Sequence, residues 1–198
     1  MTMATNLAEM ELTDHNRESL FDGGVLVPLL HMFLHNDLQV KTVAIKALKN
    51  LSSSKKNGQE MIRQGAARPL LNLLFNQSLH TTGLWEDVAA IIMQLAASTI
   101  SQDSQTPVLL LDFDDDVSRL FNLVSVPQSA VQVQQNIIQT FYSLCQTPSA
   151  SFIRTKLIEV CILLKLSAPT TARNVFLLNH DSSALNRQIT QHCQCQDI

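Results

Sequence analysis

GVLVPLLHMFLHNDLQVKTVAIKALKNLS, residues 24–52, is the stretch whose pattern decides the fold, because it returns further along the chain. Setting Gly24 over Gly65, an offset of 41 residues (65 − 24), places Pro28 over Pro69, Leu29 over Leu70, Leu30 over Leu71 and Leu34 over Phe75. The same offset places Leu20 and Phe21 over Met61 and Ile62. An internal period of this length marks a solenoid, whose units bury their apolar faces only by stacking on one another.

Within the unit the periodicity is helical. Leu26, Leu29, Leu30, Phe33 and Leu34 fall at i, i+3, i+4, i+7 and i+8, one stripe of an α-helix, and Ala67, Leu70, Leu71, Leu74 and Phe75 repeat it. A second stripe runs through Val40, Val43, Ala44, Ala47, Leu48 and Leu51. Its counterparts are Leu84, Val88, Ile91, Ile92 and Leu95, then Val133, Ile137, Ile138, Phe141 and Leu144. Each unit therefore reads as a short first helix, a glycine turn, a second helix opened by proline, and a longer third helix.

Local signals supply the boundaries. Leu12 to Asp22 forms the first helix of the first unit, with Thr13 or Asp14 as its cap. Gly24 supplies the backbone freedom for the turn that follows, and Pro28 is tolerated in a first helical turn, where its missing N–H has no intrahelical partner anyway. Asn36-Asp37 caps a third helix from Leu38 to Ser53, and Ser52 to Gly58 reads as the loop into the next unit. That unit takes Gln59 to Gln64, Ala66 to Asn76 and Leu84 to Ser98, with a longer loop at Gln77 to Gly83. Val108 to Leu111 reads as a degenerate first helix, and Asp114 to Asp116 caps a helix carrying Val117, Leu120, Phe121 and Val124. The resulting division is 1–8, the remnant of a preceding repeat; 9–53 and 54–98, two full repeats; 99–147, a degenerate one; 148–160, the start of a further repeat; and 161–198, a divergent tail. After Glu159 the glycine and proline punctuation stops, as expected of a truncated or alternatively read transcript.

The order of helices, the glycine and proline positions and the Ala-Leu-x-Asn-Leu-Ser run at residues 47–52 resemble the armadillo repeat. The wording NRESLFDGGVL (16–26), the segment from Phe33 to Ser78, LWEDVAAIIMQLAAS (84–98) and QQNIIQTFYSLCQTPSASFIRTKLIE (134–159) resembles the armadillo region of plant U-box E3 ubiquitin ligases of the senescence-associated kind, over roughly residues 4 to 159. The resemblance implies an all-α, right-handed α-solenoid that binds substrates or partners in the protein ubiquitination pathway. In that family the U-box recruits the ubiquitin-charged E2, and some members associate peripherally with the plasma membrane. No segment here resembles a U-box, so the chain is expected to be an interaction scaffold and not an enzyme. The competing class is a fragment of an active ubiquitin transferase whose U-box lies outside this chain, and a third is a non-functional truncated product.

Composition narrows the partners. The chain has 198 residues, 45% of them hydrophobic and 16% charged, as suits one packed helical domain. A net charge of −3 gives no electrostatic case for nucleic acid, whose phosphates require a basic surface. No apolar run approaches the ~20 residues that span a bilayer, and a cytoplasmic location is expected, with Cys145, Cys161, Cys193 and Cys195 as free thiols. No cofactor is expected: the five glycines form no phosphate-binding pattern.

Successive third helices of an armadillo stack line a concave groove, and importin-type repeats place Trp and Asn four residues apart there. The matching pairs are Lys46 and Asn50, Ala90 and Gln94, and Gln139 and Ser143, of which only Asn50 keeps that pattern. With Lys49, these seven form the expected partner-binding groove, and Lys46 and Lys49 favour an acidic protein or peptide. Trp85 is weighed as a partner anchor but fits packing better. Asp112, Asp114 and Asp116 begin like a calcium loop, yet Val117 and Leu123 stand where glycine and glutamate are needed, so capping and a solvated acidic face are expected. His192, Cys193 and Cys195, with His180, lack the spacing of a zinc site, and Cys145 has no catalytic partner motif.

Overall fold

Thr13 turns its hydroxyl back onto the chain and accepts a hydrogen bond from the Asn16 amide at 3.3 Å, which starts helix α2 (Asp14–Asp22). Asp37 does the same for α4 (Leu38–Ser52), accepting from the amides of Gln39 at 2.7 Å and Val40 at 3.4 Å. The computed structural model describes residues 2–76, 83–100, 111, 114–125, 130–146 and 155, and among these every regular element is an α-helix. The remaining helices are α1 (Thr2–Glu9), α3 (Leu26–Phe33), α5 (Lys55–Arg63), α6 (Ala67–Leu74), α7 (Leu84–Ser98), α8 (Asp114–Ser125) and α9 (Val131–Cys145). The chain divides into two units, 1–149 and 150–198, and all these helices lie in the first.

Helix lengths repeat as the sequence does. Helices α2 and α5 have 9 residues each, α3 and α6 have 8, and α4, α7 and α9 have 15. Gly24 and Gly65 adopt φ of 82° and 78°, the left-handed conformation that side chains resist, and each turns the chain between a first and a second helix. Pro28 and Pro69 occupy the third position of α3 and α6, where no intrahelical N–H is lost.

Packing shows why the repeat exists. The short α1 packs on α4, and the long helices stack in sequence, α4 on α7 and α7 on α9, while α3, α6 and α8 each pack beside the long helix that follows. Buried positions keep register from layer to layer: Ala44, Ile45, Ala47, Leu48 and Leu51 on α4 correspond to Val88, Ala89, Ile91, Ile92 and Leu95 on α7, and to Ile137, Ile138, Thr140, Phe141 and Leu144 on α9. On α1, Ala4 and Leu7 take the places of Leu48 and Leu51. Leu51 and Leu95 are completely buried, and Leu144 nearly so. Burial on α4 is wider than the expected stripe, taking in Ile45 while Val40 and Val43 are only half-buried. The cause is that α4 has neighbours on several sides, so more than one stripe is withdrawn from water.

Three expectations change. Ser52 to Gly58 is not a loop: α5 begins at Lys55, with Ser54 before it, so the helix expected at Gln59 to Gln64 starts earlier and is longer. Asn57 is completely buried and donates from Nδ2 to the carbonyls of Leu51 and Arg17, both at 3.1 Å, holding α5 against the end of α4 and against α2. A polar run reads as loop by composition, but here its amide serves buried carbonyls. Leu34 is the second change, 63% exposed just past the end of α3 instead of in the stripe. Its counterpart Phe75 is instead covered by the Arg119 guanidinium, 4.0 Å from the ring centroid. The third is Asp116, whose side chain is 2% exposed and grips Arg68 of α6 through two hydrogen bonds of 3.0 and 2.7 Å. It is a buried ion-pair partner, not part of a solvated acidic face.

Gly58 sits where α5 crosses α7. A Cβ built there would lie 2.8 Å from the Ser98 Cβ and 2.9 Å from its Oγ. Gly58→Val is expected to lower stability by about 2–3 kcal/mol in chemical denaturation, since α5 or α7 must shift to admit the side chain. Retention of native stability would show that the crossing is loose.

The expected degenerate first helix at Val108 to Leu111 lies outside the described residues except for Leu111, which is buried and not helical. The further repeat at 148–160, Thr155 apart, and the tail at 161–198 lie outside them as well.

Candidate partner-binding groove

The polar edge of each long helix follows from the same period that buries its apolar side. Lys46, Lys49 and Asn50 on α4, with Ser53 just past its end, fall within two turns on the side away from Leu48 and Leu51, and on α7 Asp87 and Gln94 come to the same side. Together with Arg17 of α2 and the segment joining α1 to α2, they line an open groove of about 720 Å³.

Most of these side chains also clamp one layer to the next. Asn50 donates from Nδ2 to the carbonyls of Leu7 at 2.8 Å and Met10 at 2.7 Å, so it caps the end of α1. Its Oδ1 accepts from Arg17 Nε at 3.3 Å, and Arg17 also pairs with Asp14 at 2.8 Å. Gln94 repeats the arrangement one layer on. Its Nε2 donates to Ser53 Oγ at 3.1 Å, and its Oε1 accepts from Ser52 Oγ, at the end of α4. Lys49 crosses from α4 to α7 in a 2.6 Å ion pair with Asp87.

Lys46 differs from its neighbours. It is exposed, lines the groove, and has no ion pair among the described residues. Of the cations in the lining, Arg17 is paired with Asp14 and Lys49 with Asp87, so Lys46 is the one without an ion pair among the described residues. A free ammonium beside a paired one offers charge-assisted hydrogen bonds to a carboxylate.

Of the seven groove residues expected from the sequence, the structure gathers Lys46, Lys49, Asn50 and Gln94 around one space. Ala90 is 9% exposed and Ser143 is 1% exposed, and neither lines it. Each sits in a packed layer: Ala90 on α7, which packs on α4, and Ser143 on α9, which packs on α7. Gln139 is half-buried on α9 and lies outside the groove lining. Sequence reasoning passed over Arg17 and Asp87. The available signal was a pair of opposite charges, Lys49 and Asp87, on long helices that the repeat sets side by side.

Trp85 is 2% exposed and donates from Nε1 to the Leu74 carbonyl at 3.0 Å, so it closes the end of α6 against α7 and offers no free surface. Met61 is completely buried and Met32 half-buried. Asp112 and the cluster of His180, His192, Cys193 and Cys195 lie outside the described residues, as does the side chain of Cys145. Among the described residues no group of three or more His, Cys, Asp and Glu could hold a metal ion, and no helix is long and apolar enough to cross a membrane. Comparison with protein-family models and with curated proteins gives no match to this chain.

Proposed function

We propose that this chain is an armadillo-type α-solenoid working as a protein-interaction scaffold, and that the groove along α4 and α7 receives an acidic segment of a partner protein. It acts by binding and not by catalysis, in the manner of the partner-selecting array of the plant U-box ubiquitin ligases that its sequence resembles. The observation that carries this reading is Lys46, an exposed cation without an ion pair among the described residues, set beside Lys49 in a groove walled by several repeat elements. Further support comes from the glycine turns at Gly24 and Gly65 and from the layer-to-layer register of buried positions, which match the unit seen in the sequence.

The test uses a fluorescein-labelled hexaglutamate peptide and fluorescence anisotropy at low salt. Lys46→Glu touches none of the inter-helix hydrogen bonds and ion pairs among the described residues and reverses the charge at that position. Binding is expected to weaken by about three- to tenfold, and the difference is expected to shrink as salt is added, since exposed charges are screened. Equal affinity of the native chain and Lys46→Glu would remove the groove from consideration.

A further inference from the structure

Asp87 occupies an unusual place in the groove. It stands in the first turn of α7, 17% exposed at the side chain, and its Oδ1 lies 2.6 Å from the Lys49 Nζ. Lys49 is itself 43% exposed at the side chain and lines the groove. Lys46 lies one helical turn away on the same edge of α4, and both lysines line the space.

An incoming carboxylate that reaches Lys46 therefore finds the second lysine already engaged by a carboxylate of the chain. We propose that Asp87 is an internal competitor of the groove's ligand, occupying beside Lys49 the place an acidic side chain of the partner would take, so that it sets the affinity of the site. This inference rests on the acidic-partner reading above. Lys49 is part-exposed and Asp87 mostly covered, and exchange of one carboxylate for another on the same ammonium is close to neutral in its direct interaction. What the ligand loses is the share of binding needed to displace Asp87, together with repulsion from the displaced charge. Displacement also releases the ion pair that joins α4 to α7, so an occupied groove relies more on Gln94 and the apolar layer to hold those helices together.

Asp87→Asn tests this, because it keeps the shape of the side chain and removes only its charge. Glu86→Gln is the control: Glu86 is exposed in the same helical turn, carries the same charge, and does not line the groove. With labelled hexaglutamate, Asp87→Asn is expected to bind about fivefold more tightly than the native chain, and Glu86→Gln to change affinity by less than about twofold. Adding Lys49→Met to Asp87→Asn is expected to abolish the gain. Circular dichroism of each variant establishes that the helices are retained.

Equal strengthening by Asp87→Asn and Glu86→Gln would overturn the inference, since the effect would then belong to net charge alone. Binding by the native chain with no gain in Asp87→Asn would also overturn it, while leaving the acidic-partner reading in place. If neither the native chain nor Asp87→Asn binds the peptide, that reading falls and this inference with it.

Discussion

Arg68→Met is expected to lower stability by about 3–5 kcal/mol, the range for a buried ion pair that loses one member. Asp116 is 2% exposed at its side chain and receives both of the hydrogen bonds that Arg68 sends to it from α6. Methionine fills much of the space but leaves a carboxylate withdrawn from water without its counter-ion. Its place in the first turn of α8 returns a little through the helix dipole, so the loss falls at the lower end of that range.

The two partners are not equivalent. Arg68 remains 26% exposed and can take water when Asp116 is removed, so Asp116→Leu is expected to be milder, by about 1–2 kcal/mol. The double variant Arg68→Met with Asp116→Leu is expected to recover most of the loss, because no charge is then left buried. Urea unfolding of the native chain, both single variants and the double variant measures all of this in one cycle. A loss below 1 kcal/mol for Arg68→Met would mean that Asp116 reaches water in solution.

Leu95→Ala is expected to cost about 3–5 kcal/mol as well, for a different reason. Leu95 is completely buried on α7, and α7 packs against α4, α5, α6 and α9. Truncation removes the transfer energy of the side chain and leaves a cavity that long, mutually braced helices close poorly. In a stacked array the loss falls on two interfaces at once, since each layer depends on its nearest neighbours. Leu34→Ala is the contrast: at 63% exposure the change is expected to stay within about 0.5 kcal/mol. Comparable losses at the two positions in thermal or urea unfolding would contradict the layer register.

These pairs of residues show where sequence reading succeeds and where it stops. The period that aligned Leu51 with Leu95 and Leu144 was legible because an apolar stripe must point into a shared interior, and all three are buried. The glycine turns were legible because only a residue without Cβ takes φ near +80° at no strain, and Gly24 and Gly65 both do. Leu34 was not, because a stripe drawn through five residues gives no sign of where the helix ends. Asn57 and Asp116 were not, because polar residues read as solvated until a buried partner is known, and those partners stand 40 and 48 residues away at Arg17 and Arg68. Of the seven residues read from the sequence, four line one space. Lys46, Lys49, Asn50 and Gln94 follow from the third-helix register, whereas the burial of Ala90 and Ser143 depends on how closely neighbouring layers approach.

By itself, the sequence determined the repeating unit, its helix order, its turns and the residues that form the apolar layers, since all of these follow from periodicity and local backbone chemistry. Only the tertiary structure decided which polar side chains remain free. Asn50, Gln94, Lys49 and Asp116 are tied to groups on other helices, and Lys46 has no ion pair among the described residues, because hydrogen bonds and ion pairs between distant residues form only once stacking has brought them within about 3 Å of each other.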